Sequence, residues 1–236
     1  VHSFLKTYQI LPDRALQESV DDFGQKLVPQ WQKELPDSDP AKVHFRFFVL
    51  EKTKSLGRTL SNDTGTVLIP SQVIAKLQNE AQLASLLSAD IAGALEKDTY
   101  RSRSHKHAQV ATEIAAYPAV GLLGDVAINS AFSAEFWTPL REHEYRVGLR
   151  YVVAAGYDPR EAPIALQRIS ESTPGTKTDK SVPTLAKPLD AELGFDYMTT
   201  DFNSLRTGES EYTTLRNMTI AADPKLGKTE KSRLSD

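Results

Sequence analysis

No cysteine occurs in the 236 residues, which excludes disulfides, iron–sulfur clusters, thiolate zinc sites and a cysteine nucleophile together. Charge of one sign is also lacking: 28 Lys and Arg stand against 31 Asp and Glu, a net charge of −3. With an isoelectric point near 6.0 and no long basic run, the chain has no electrostatic footprint for nucleic acid. No apolar run reaches the roughly 18 residues that span a bilayer; the longest apolar region, Ile114 to Leu123, is broken by Tyr117, Pro118 and Gly121. Histidine is scarce, with none between His44 and His105 and none after His143. What remains, 40% hydrophobic and 25% charged, is the composition of a globular protein, and the length suits a single domain over 1–236. A leader, pro-segment or anchor removed ahead of Val1 is one expectation.

Leu16, Val20, Phe23, Leu27, Trp31 and Leu35 recur at spacings of three and four, which predicts one amphipathic helix from Pro12 to Leu35. Val43 to Leu50 reads as a strand. Arg58–Ser61, Asn62–Gly65 and Thr66–Ile69 read as strand, turn and strand. Ser71 is an expected N-cap for a helix to Leu77, and Asn79 or Glu80 opens a longer helix to about Glu96. Two helices are expected between Ala108 and Ala134, and another from Pro139 to Ala155, stopped by Gly156. Asp158, Pro159 and Glu161 read as the cap, first residue and capping-box glutamate of a helix to Ser170. The polar stretch 171–191 reads as a long loop, Phe195 to Phe202 as a strand or extended arm, and 223–236 as a mobile charged tail. The class expected is α+β, mostly helical with a small early sheet.

Gly65-Thr66-Val67-Leu68-Ile69 precedes Asn79-Glu80-Ala81-Gln82-Leu83-Ala84-Ser85-Leu86-Leu87. Much later come Arg146-Val147-Gly148-Leu149-Arg150-Tyr151 and Ala155-Gly156-Tyr157-Asp158-Pro159. In this order and at these separations the set resembles the HtpX-type and CAAX-prenyl endopeptidase zinc metallopeptidases, peptidase family forty-eight of the gluzincin type. The resemblance spans about 11–169 and implies a zincin-like fold. In that family N-E-A-x-L-A leads into H-E-x-x-H, whose two histidines at i and i+4 bind zinc and whose glutamate activates the bound water. A glutamate from the later helix, in E-A-D-R-x-G, is the third ligand.

Here Ala89 and Gly93 stand where the two histidines belong, Asp90 where the general base belongs and His143 where the third ligand belongs. Alanine and glycine carry no donor atom. Without zinc to lower the pKa of water to about 7, Asp90 has nothing to deprotonate. The resemblance therefore implies the fold, and the departures imply that zinc and catalysis are lost. In active relatives an extended peptide is expected to lie along an edge strand, which here would be Thr66, Val67, Leu68 and Ile69.

Plainer readings stand beside these. Ala89 and Gly93 also suit a close helix-packing face, and Asp90 a solvated or capping residue. His105, His107 and His143 with Glu144 supply donors for a relocated metal, although histidines at i and i+2 point to different sides of a helix. Arg101 to Lys106 is a local basic cluster. Gly227-Lys228-Thr229 mimics the end of a P-loop but has Ala222 at the first glycine position. The function expected is a catalytically inactive metallopeptidase-like protein, exported or membrane-associated in a bacterium, that binds a peptide or protein partner. The alternatives are a hydrolase with the relocated metal, and an exported assembly scaffold.

Overall fold

The computed structural model describes residues 8–53, 56–96, 134–171 and 182–226. Helix α1 (Arg14–Leu27) begins at Asp13, whose carboxylate accepts the Leu16 N–H at 3.0 Å. It buries Leu16, Val20, Phe23 and Leu27 as its spacing predicts. The predicted single helix then breaks. Pro29 starts a new short helix, α2 (Gln30–Glu34), because it has no N–H to continue the first. The restart changes which side faces inward: Trp31 is 52% exposed and Gln32 is 1% exposed. Gln32 earns its burial by clamping the next segment, donating to Ala41 O and accepting the Val43 N–H.

Strands β1 (Arg46–Leu50), β2 (Leu60–Ser61) and β3 (Thr66–Pro70) form a sheet in the order β1-β3-β2. β3 pairs parallel with β1 and antiparallel with β2. The β2–β3 turn is where the sequence places it. Asn62 Oδ1 accepts the N–H groups of Thr64 and Thr66, and Gly65 takes a φ of 84° that side chains disfavour. Alternation divides the two sheet faces. Phe47, Val49, Val67 and Ile69 join a large core shared with the helices, while Leu50 and Leu68 join a small cluster with Tyr8, Leu56 and Leu60.

The outer edge of β1 is closed by side chains. Gln17, Asp21 and Gln25 lie one turn apart on α1 and meet the outward backbone groups of the strand. Gln17 accepts the Val49 N–H and donates to Val49 O and Leu11 O; Asp21 accepts the Phe47 N–H; Gln25 donates to Phe45 O. Such a row protects an edge against pairing with another chain. Gln17→Ala strands the Val49 N–H, while Val49 O keeps the Leu11 N–H, so urea denaturation is expected to show a loss of about 1–2 kcal/mol. Ser19→Ala, exposed on the same helix, should change stability by less than about 0.5 kcal/mol.

Helices α3 (Ser71–Lys76) and α4 (Glu80–Leu95) follow the sheet, and α5 (Ala134–Ala154), α6 (Glu161–Ser170), α7 (Val182–Asp196) and α8 (Glu209–Ala222) complete the described chain. The fold is α+β, and one core cluster runs from Leu11 to Tyr212. Three expectations for the second half are corrected. Part of the supposed loop 171–191 is the helix α7, which also takes the first two residues of the supposed arm Phe195 to Phe202; the rest of that arm is a turn running into a short 3-10 helix, Phe202–Ser204. Leu185, Leu189 and Leu193 of α7 are buried at spacings of four, a signal masked by Pro188 inside the helix. The tail begins later than composition suggests, since Asp223 is fully buried and Leu226 is 4% exposed. Ser71 is no N-cap; it starts α3 and donates to Asp223. The helices expected between Ala108 and Ala134 lie outside the described residues. Among the described residues no helix is long and apolar enough to cross a membrane.

Candidate functional site

α4 carries the positions where the resemblance places catalysis. Asn79 caps it, accepting the Gln82 N–H at 2.9 Å, and every residue from Ala81 to Ala94 is buried. A helix apolar on all sides belongs in a core. Its small residues let α5 cross very close. A Cβ at Gly148 would stand 2.8 Å from the Ala89 backbone nitrogen, and a Cβ at Gly93 would stand 2.8 Å from Glu144 Oε1. Residues 148 and 144 share one face of α5 because they are one turn apart.

This crossing decides the fate of the four positions. Ala89 is 3% exposed, buried beneath the Gly148 contact. Gly93 has the Glu144 carboxyl in the space its own side chain would need. His143, expected at the third-ligand position, is exposed. Its neighbour Glu144 reaches α4 instead, for Gly148 fixes which face turns inward and His143 lies about 140° round the helix from Gly148. The residues present do not fit zinc: two of the three ligand positions have no donor and the third faces outward. Among the described residues no group of three His, Asp or Glu is placed to hold a metal. His105 and His107 of the relocated-metal alternative, and the basic cluster Arg101 to Lys106, lie outside the described residues.

Asp90 is neither solvated nor a cap. It is 5% exposed and turns toward β2, where Ser61 Oγ donates to its Oδ1 at 3.2 Å. Its Oδ2 is buried without a hydrogen-bond partner. Burial pushes the carboxyl up to about 7, with the hydroxyls of Thr59 and Ser61 opposing the rise. A desolvated carboxyl prefers its neutral form because little around it replaces the hydration of the charge.

The strand chosen for peptide binding is not an edge. Thr66, Val67, Leu68 and Ile69 lie in the middle of the sheet, with β1 on one side and β2 on the other, so their backbone has no free side for an added strand. Alternation in the sequence marks a strand but does not order it. The hairpin sends β2 outward and brings β3 back beside β1. Of the two outer strands, β1 is covered by α1, and β2 is two residues long with Leu60 buried.

The A-G-Y-D-P segment has a packing role. Gly156 takes a φ of 82° and ends α5, with the Tyr157 N–H bonded to Val152 O. Tyr157 is fully buried. Its hydroxyl donates to Glu80 at the start of α4 and accepts from Arg206, whose guanidinium also lies over its ring. Asp158 accepts the Arg160 N–H, while Glu161 reaches Gln82 on α4 instead of closing a capping box. Beside this node an open cleft of about 980 Å³ is lined by Arg160, Phe202, Arg206 and Glu209, among others. Arg160 stacks over Phe202 and pairs with Asp158. Sequence reasoning missed this cleft, because its walls come from segments about 40 residues apart, one read as a helix start and the other, 202–213, given no reading beyond Phe202 at the end of the supposed arm. No protein-family model and no curated protein gives a match to this chain.

Proposed function

We propose that the chain is a zincin-like domain of the peptidase family it resembles, that it performs no zinc-dependent cleavage, and that it acts by holding a peptide or protein partner on its outer surface. The observation that carries this reading is the Glu144 carboxyl in the space beside Gly93. By the resemblance, that space is where the second zinc-binding histidine would stand. The order of elements supports the fold: helix, strand, hairpin, a buried helix with the motif positions, then a later helix crossing it. The A-G-Y-D-P segment persists for packing, which needs no catalysis. An exported or membrane-associated bacterial protein is part of the same reading.

Zinc stoichiometry after loading and exhaustive dialysis, paired with a peptide-hydrolysis assay, tests the proposal. Less than about a tenth of an equivalent and no hydrolysis are expected, since structural or catalytic zinc needs a full set of deprotonated donors. Close to one equivalent with hydrolysis abolished by chelation overturns it. This reading puts the partner at the cleft beside Arg160 and Phe202, where the Nη1 side of a guanidinium that Asp158 already holds is left for an acceptor. Binding of a peptide library to the intact chain should weaken in Arg160→Ala, and unchanged binding removes the cleft from the proposal.

A further inference from the structure

Asp90 is a carboxyl for which the proposed binding role has no use. It lies in the middle of α4 among buried side chains, bonded to Ser61 on β2 through one oxygen and unpartnered at the other. Thr59, the residue before β2, also bears on it through its hydroxyl. A polar group in such a place is tolerated neutral and costly charged. Beside it stands the weakest strand of the sheet. β2 has two residues paired with β3 and nothing paired on its other side among the described strands. An element with so few bonds opens before the core does.

We propose that Asp90 is a proton-controlled latch between α4 and β2, closed while the carboxyl is neutral and released when it ionises and β2 parts from α4 to admit water. The groups around it leave proton binding to Asp90 itself. From β2 and the residue before it come only hydroxyls, those of Ser61 and Thr59, and from α5 comes Glu144, which lies at Gly93 one turn on. Glu161 of α6 and Arg206 ahead of α8 engage Gln82 and Glu80, two or more turns toward the N-terminus of α4. Asp21 of α1 faces β1. No ion pair reaches Asp90 among the described residues.

The direction follows from the geometry and the raised pKa. The closed form holds its proton to about pH 7, whereas an opened, hydrated Asp90 releases it near the ordinary value of about 4. The closed form is therefore fully favoured below about pH 4, loses ground as pH rises toward 7, and gains nothing back above it. Between pH 5.5 and 8.5 the opening equilibrium should rise roughly thirty-fold.

Hydrogen exchange on the full chain reads this as protection factors for the amides of Leu60, Asn62 and Leu68, which tie β2 to β3. The expected result is a roughly thirty-fold loss at these amides in the wild type, no loss in Asp90→Asn, and unchanged protection along β1. The same loss in Asp90→Asn, an equal loss along β1, or no loss in the wild type overturns the latch. Should Asp90→Asn fail to fold, carbon-detected titration of the Asp90 carboxyl in the wild type decides. A midpoint near 7 upholds the latch, and one near the ordinary value of about 4 overturns it.

Discussion

Gly148→Ala is expected to destabilise the protein by about 3 kcal/mol, although helix propensity alone forecasts a gain of about 1 kcal/mol. Gly148 lies inside α5, where replacing glycine by alanine ordinarily relieves backbone entropy. At this position the new methyl would stand 2.8 Å from the Ala89 nitrogen, 2.9 Å from the Ser88 carbonyl carbon and 3.0 Å from the Ala89 Cα. Those are backbone atoms of α4 and cannot rotate away, so the two helices must separate along their contact. Separation loosens dispersion contacts over many side chains at once, which outweighs the propensity term. Gly194→Ala on α7 is the control, because a Cβ there meets nothing within 4 Å. It should leave stability unchanged or raise it by up to about 1 kcal/mol. Urea denaturation of both variants checks the pair. A Gly148→Ala midpoint equal to or above the wild type would mean that α4 and α5 are not in close contact, and the filled centre on which the proposed function rests would go with it.

How much of this could be read from the residues depends on which interactions set each feature. Features set within a few residues were legible: the spacing of Leu16, Val20, Phe23 and Leu27, the Asn79 cap, the Asn62–Gly65 turn, the Gly156 stop. Each is decided by local backbone chemistry that the sequence displays. Features set by what crosses at long range were misread. His143 and Glu144 look equivalent as donors until the Gly148 contact chooses the inward face of α5. Thr66–Ile69 looks like a free strand until β1 pairs with it from the other side. Trp31 continues an apolar stripe in sequence, but Pro29 changes the register and the polar Gln32 takes the inner place by satisfying the chain at Ala41 and Val43. The absence of donors at Ala89 and Gly93 needed no structure. That Glu144 fills the space beside Gly93 did.

Asp223→Ala should lower stability by about 3 kcal/mol, although composition assigned Asp223 to a solvated tail. The residue ends α8 and is fully buried. One carboxylate oxygen accepts the Lys52 N–H at 2.6 Å and the Ser71 hydroxyl, and the other accepts the Lys225 N–H at 2.9 Å. These partners come from the end of β1, the start of α3 and the chain just beyond α8. One side chain thus joins three segments far apart in sequence. Lys225 adds an ion pair with Glu51 at the same junction, exposed enough to contribute little. Truncation to alanine strands donors that bulk water does not freely reach, and each hydrogen bond to a charged acceptor is worth about 1.5–3 kcal/mol when lost. The loss is less than their sum because bonds to one shared carboxylate are not independent. Ser71→Ala removes one donor and leaves the carboxylate its two N–H partners, so about 1 kcal/mol is expected. Asp223→Asn keeps the volume but turns an amide N–H₂ toward at least one donor, which places it between the two. This order of Asp223→Ala, then Asp223→Asn, then Ser71→Ala, read from denaturation midpoints at constant slope, is what a buried three-way junction requires. An Asp223→Ala midpoint within about 0.5 kcal/mol of the wild type would instead return the residue to the solvated tail that its charge suggested.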